Sequence, residues 1–88
     1  MPAKLVRERF SRAFGVDLFQ LDDATCFALS PANADTLPQQ LSSRRQMSRF
    51  LAHAQYFSGR RFACLADQFL LSREAMAIRL EELDIVPL

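Results

Sequence analysis

One histidine in 88 residues leaves little material for metal or general-base chemistry. His53 has no second His, no Cys pair and no carboxylate at ligand spacing, so a zinc site, which needs at least three placed ligands and an open position, is excluded from this chain, and a surface place is expected for His53. Cys26 and Cys64 lack a CxxC arrangement and read as reduced thiols, with a disulfide or a metal role as the lesser alternatives. Ser72 has no His and Asp partners that would make it a nucleophile. No apolar run approaches the ~18 residues needed to span a bilayer, and no charged segment followed by an apolar core opens the chain. A soluble, cytoplasmic protein with no membrane partner is the expectation. Also missing is a strong charge of one sign: the formal net charge is +1, far from the balance of a domain built on phosphate contacts.

What is present is apolar bulk. Half the residues are hydrophobic and eight are Phe, so a thin but adequate core is available to one domain of this length. The charges are unevenly placed. Lys4, Arg7, Arg9 and Arg12 oppose only Glu8 near the start, and Arg44, Arg45, Arg49, Arg60 and Arg61 occupy residues 39–61 without an acid. Beyond Phe62 the chain turns acidic.

Apolar periodicity predicts an all-α fold, a small bundle of about four helices ending in a helix-turn-helix-like pair, with no competing β pattern. Val6, Phe10, Ala13 and Phe14 define a helix over residues 3–14, with Pro2 suited to its first turn and Gly15 to its end. Residues 15–38 contain two prolines and no helical period, and read mostly as loop lying over the helices. Thr36 with Gln39, and Ser43 with Gln46, are spaced as capping boxes, so a helix over residues 39–58 begins at one of them. Its stripe is Met47, Phe50, Leu51, Ala54 and Phe57, and Ser58-Gly59 ends it. Residues 60–83 form the paired unit: Phe62, Leu65, Ala66 and Phe69 in one helix, then a turn at Leu70-Leu71, then a helix capped by Ser72 that buries Ala75, Met76, Leu80 and Leu83. Helix-turn-helix units usually carry Gly where this chain has Leu70, because the turn needs positive φ. A plain helical hairpin is the alternative.

"MPAKLVRERF" at one end and "LADQFLLSREAMAIRLEELDIV" at the other resemble the C-terminal part of ImmA/IrrE-type zinc metallopeptidases. There an "LLMP" segment opens a helix and an "LA..F.VS..A...RL..LG" segment closes the unit. Met1, Pro2, Leu65, Ala66, Phe69 and Ser72 carry the likeness, continued by Ala75, Met76, Arg79, Leu80 and Leu83; together the two ends cover about a third of the chain. The family's His-Glu-x-x-His helix would lie ahead of Met1. The resemblance therefore implies an accessory part without catalytic machinery or cofactor, zinc being expected only with an upstream peptidase half. A fragment, an internal start and a lost front half remain open.

The implied function is protein recognition, with a transcriptional repressor as partner. A small helix-turn-helix DNA-binding regulator is the alternative, and a purely structural scaffold the third. For DNA the relevant positions are Ser72, Arg73, Glu74, Ala77 and Ile78, among which only Arg73 is a strong reader, while Glu74, Glu81 and Glu82 oppose phosphate. Arg44, Arg45, Arg49, Arg60 and Arg61 form the candidate contact surface for phosphates or an acidic protein face, or else a solvated rim. Arg45 and Arg49 share a helix face, and Arg60 and Arg61 are expected at a helix start. Exposed Val6, Phe10 or Leu21 would mark an interface with a missing half.

Overall fold

The computed structural model describes residues 3–86. Met1 and Pro2, which carry the "LLMP" likeness and the expected first-turn proline, lie outside them. The described chain is mainly helical: α1 (Ala3–Phe14), α2 (Asp23–Leu29), a 3-10 turn (Pro31–Asn33), α3 (Leu37–Gln40), α4 (Arg44–His53), a hairpin of β1 (Tyr56–Phe57) and β2 (Arg60–Arg61), α5 (Leu65–Gln68) and α6 (Arg73–Glu82). The strict all-α expectation is corrected by that hairpin.

α1 forms as its spacing predicts. Val6, Phe10, Ala13 and Phe14 are all buried, and the helix stops at Gly15, whose φ of 72° lets its N–H donate to the Ser11 carbonyl at 2.7 Å. Val6 and Phe10 are wholly covered and Leu21 is half-buried, so none of them marks an uncovered interface. α4 starts at the second capping box: Ser43 Oγ accepts from the Gln46 N–H, and Gln46 Oε1 accepts from the Ser43 N–H, each at 3.2 Å. Thr36 makes no such bond and precedes only the single turn of α3.

Three segments depart from expectation. Within residues 15–38, Asp22 and Thr25 make a reciprocal cap and start α2, and hydrogen bonding to Thr25 holds the Asp22 carboxyl below its ordinary value. The 39–58 helix is broken into α3 and α4, and Ser58-Gly59, with φ of 52° and 83°, is a tight hairpin turn between β1 and β2 rather than a helix end. The helix expected from Phe62 to Phe69 shrinks to one turn, because Arg60, Arg61 and Phe62 extend along the hairpin, Phe62 N–H donating to Gln55 O at 3.0 Å.

An aromatic cluster explains the hairpin. The Phe14 ring meets Phe10, Phe57, Phe62 and Phe19 at centroid distances of 4.7, 5.3, 5.5 and 5.9 Å, the last three edge-on. Such pairs contribute ~0.5–1.5 kcal/mol each beyond their burial. A continued helix would carry Phe57 along the α4 stripe; the turn instead brings Phe57 and Phe62 to one ring. Two backbone bonds fix the loops around it, Ser58 N–H to Ala28 O at 2.9 Å and Phe19 N–H to Ile85 O at 2.8 Å.

The chain reverses at Leu70 as predicted, with φ of 56° and 92% of its surface exposed. Leu71 N–H donates to Ala66 O at 2.9 Å and Leu70 N–H to Asp67 O at 3.2 Å, the paired bonds of a Schellman cap. Ala66 and Met76, on either side of this reversal, are both buried in the common core. The same device ends α6: Asp84 has φ of 57°, and Ile85 and Asp84 donate to Leu80 O and Glu81 O at 3.0 Å.

Phe14→Ala should cost about 3–5 kcal/mol, a large share of a small domain's stability, and urea unfolding should show a correspondingly lowered midpoint. Leu70→Gly should do the opposite. The side chain packs on little, so relief of the left-handed backbone should raise unfolding free energy by roughly 0.5–1 kcal/mol after the added unfolded-state entropy of glycine.

Candidate recognition surface

α4 packs against α6, and both carry small buried side chains, Ser48 and Ala52 on one and Ala77 on the other. Ser48 is the only buried polar residue among those described, and its hydroxyl donates to the Arg44 carbonyl at 2.9 Å. Around this apolar seam runs an ionic one. Arg45 Nε and Nη2 donate to the two Glu81 oxygens at 2.7 and 3.1 Å, a bidentate fork, and Nη1 reaches Glu74 at 2.8 Å. Arg49 Nε donates to the other Glu74 oxygen at 2.5 Å. Both acids are therefore held below the ordinary glutamate range, Glu74 chiefly by its hydrogen bond with Arg49 and Glu81 chiefly by that with Arg45.

Arg44 serves the end of α6. Its Nη2 and Nε donate to the carbonyls of Glu81 and Val86 at 2.9 and 2.8 Å, with Asp84 3.6 Å away. Arg7 of α1 donates to Leu83 O at 2.7 Å. Two cations thus satisfy carbonyls at the negative pole of one helix.

The candidate arginines consequently divide. Arg44, Arg45 and Arg49 are engaged by α6 and do not form a free basic surface. Arg60 and Arg61 lie on β2, not at a helix start; Arg60 Nη2 donates to Arg12 O and Ala13 O at 3.2 and 3.4 Å, closing the end of α1, while Arg61 is exposed. Arg73 is exposed at the start of α6, beside a shallow hollow lined by Gln40, Arg49, Phe50 and His53. His53 is exposed, as expected for a surface residue.

The DNA-facing set on α6 is also smaller than the sequence suggested. Ala77 is fully buried and Glu74 is paired, so of the five candidate positions Ser72, Arg73 and Ile78 remain exposed, with acidic Glu82 exposed further along the helix. Ser72 is occupied as the N-cap, its Oγ accepting from Ala75 N–H at 3.1 Å.

Residues the sequence reading passed over complete the surface. Arg9 and Arg12 of α1 meet Arg60 and Arg61 around a hollow of about 230 Å³ that Phe62 and Gln68 also line. Their charges were visible, but nothing local joins positions some fifty residues apart. Among the described residues no group of three or more His, Cys, Asp or Glu is placed to hold a metal. Cys26 and Cys64 are buried free thiols, and burial, with Asp23 and Asp22 nearby, pushes the Cys26 thiol up. No described helix is long and apolar enough to cross a membrane. No family model, curated protein or solved structure matches the chain.

The carboxylate pairing sets a pH dependence. Glu74 and Glu81 have folded pKa values below the unfolded value near 4.5, so their contribution is complete above that pH and is lost as pH falls through the folded values. Urea unfolding should weaken steadily below about pH 5. Glu81→Gln should be less stable than the parent at pH 7, with the difference closing as pH falls through the lowered folded pKa of Glu81.

Proposed function

We propose that this chain is a non-catalytic protein-recognition module whose contact point is the turn between α5 and α6. The exposure of Leu70 carries this reading. A leucine 92% exposed at φ 56° gains almost nothing from packing and bears backbone strain, where glycine would relieve the strain and asparagine or aspartate would also suit solvent. Such a residue is explained by what a partner's apolar pocket receives from it. Ile78, 40% exposed on α6, adds apolar area on the following helix.

The internal use of α6 supports the same reading. Its carboxylates are tied to α4 and its C-terminal carbonyls to Arg44 and Arg7, so the helix serves as a structural member. As the recognition helix of a DNA-binding regulator it would offer Arg73 as its only exposed cation. The likeness of residues 65–86 to the end of ImmA/IrrE-type metallopeptidases motivates the choice of partner class, a transcriptional repressor held for an associated peptidase.

A photoactivatable leucine analogue at position 70, introduced in the native cells, should crosslink to one discrete polypeptide, with no comparable product from exposed position 35. Leu70→Asp, which suits positive φ and leaves the fold intact, should reduce recovery of that polypeptide by about tenfold or more. Equal labelling from both positions overturns the reading. So does a low-salt shift of duplex DNA that Arg73→Ala abolishes and Leu70→Asp does not.

A further inference from the structure

The hollow between α1 and the hairpin is lined by Arg9, Arg12, Arg60 and Arg61 and by no carboxylate. Four arginines around a hollow of about 230 Å³ give it a positive potential with no acid in its lining to cancel it. Two of them are already oriented. Arg9 Nη1 donates to Gln68 Oε1 at 3.1 Å, and Gln68 is itself anchored through its Nε2 to Ala63 O at 2.6 Å. Arg60 is held by the Arg12 and Ala13 carbonyls. The side chains of Arg12 and Arg61 make no hydrogen bond or ion pair among the described residues, so two planar forks remain open beside two fixed ones. Phe62, half-buried, supplies an apolar wall.

We infer that this hollow binds a phosphate monoester, presented as a phosphorylated side chain of the protein that docks at the α5–α6 turn. The partner identity rests on the recognition reading above; the phosphate chemistry does not. A phosphomonoester carries about −1.5 to −2 charges and three acceptor oxygens, matching several forks at once, whereas a carboxylate satisfies one fork and leaves the others opposed. The hollow holds a phosphoryl group together with part of its carrier against Phe62. Its extent argues against a nucleic-acid backbone. The adjoining hollow on α1, which shares Arg12, is lined by Glu8 and Asp17 as well as Lys4 and Arg7, so the purely cationic lining ends after one site. Gln68 lies two residues before Leu70, which places the anion site next to the displayed leucine along one stretch of chain.

The probe is phenyl phosphate, titrated at low salt into the whole protein and followed by amide chemical shifts. Shifts confined to residues 9–13, 60–62 and 68 are expected, with benzoate weaker by about fivefold or more. Arg12→Ala with Arg61→Ala removes side chains that hold no protein group, so the fold should persist while phosphate affinity falls by about tenfold. No shift at about 20 mM phenyl phosphate, equal affinity for benzoate, or an unchanged affinity in the double variant overturns the inference. Single-stranded oligonucleotide binding whose salt slope reports more than about two neutralised phosphates reassigns the hollow and overturns it too. Because this titration contains no partner protein, its failure leaves the Leu70 crosslinking result standing, and the reverse also holds.

Discussion

The ends of helices leave carbonyl groups that need donors, and here arginines reaching across the fold supply them. Arg7 and Arg44 close the end of α6 from two sides, and Arg60 closes α1 from the hairpin. With the Arg45 and Arg49 pairs to Glu81 and Glu74, this makes α6 the member to which α1 and α4 are both tied. Exposed ion pairs individually contribute little, but a bidentate fork sharing carboxylates with a second arginine is the network geometry in which they do contribute. The near-zero net charge then has a local meaning: the acids of the last third of the chain neutralise the arginines of its middle.

Much of this could be read in the residues and much could not. The stripe of α1, the Ser43 and Ser72 caps and the reversal at Leu70 are local, determined by side chains within a few positions, and each lies where the pattern places it. α2 was hidden because its capping pair is Asp22 with Thr25, where the expected partner is Glu or Gln. The hairpin was hidden because Phe57 continues the α4 stripe, and only Phe14, more than forty residues earlier, decides that it leaves the helix. Long-range packing overrode a local period.

The same divide separates the arginines. Charge counts along the chain singled out Arg44, Arg45 and Arg49 as a surface, yet their partners are thirty residues or so away and cancel them. Arg60 and Arg61 were marked by the same count, and their significance comes from Arg9 and Arg12, which lie off the apolar stripe of α1. Clustering in sequence was a poor guide to clustering in space, because α6 brings acids to one group and the hairpin brings more cations to the other.

The bond from Phe19 to Ile85 and that from Arg7 to Leu83 have a kinetic consequence. They join positions 7 and 19 to positions 83 and 85, so the loop of chain that contains Phe10 and Phe14 closes only after α6 and the turn that follows it have been made. During synthesis the apolar side of α1 must wait uncovered for its last neighbours, and the closure entropy of that wide loop falls late in folding. Completion of this unit is thereby tied to the turn after α6.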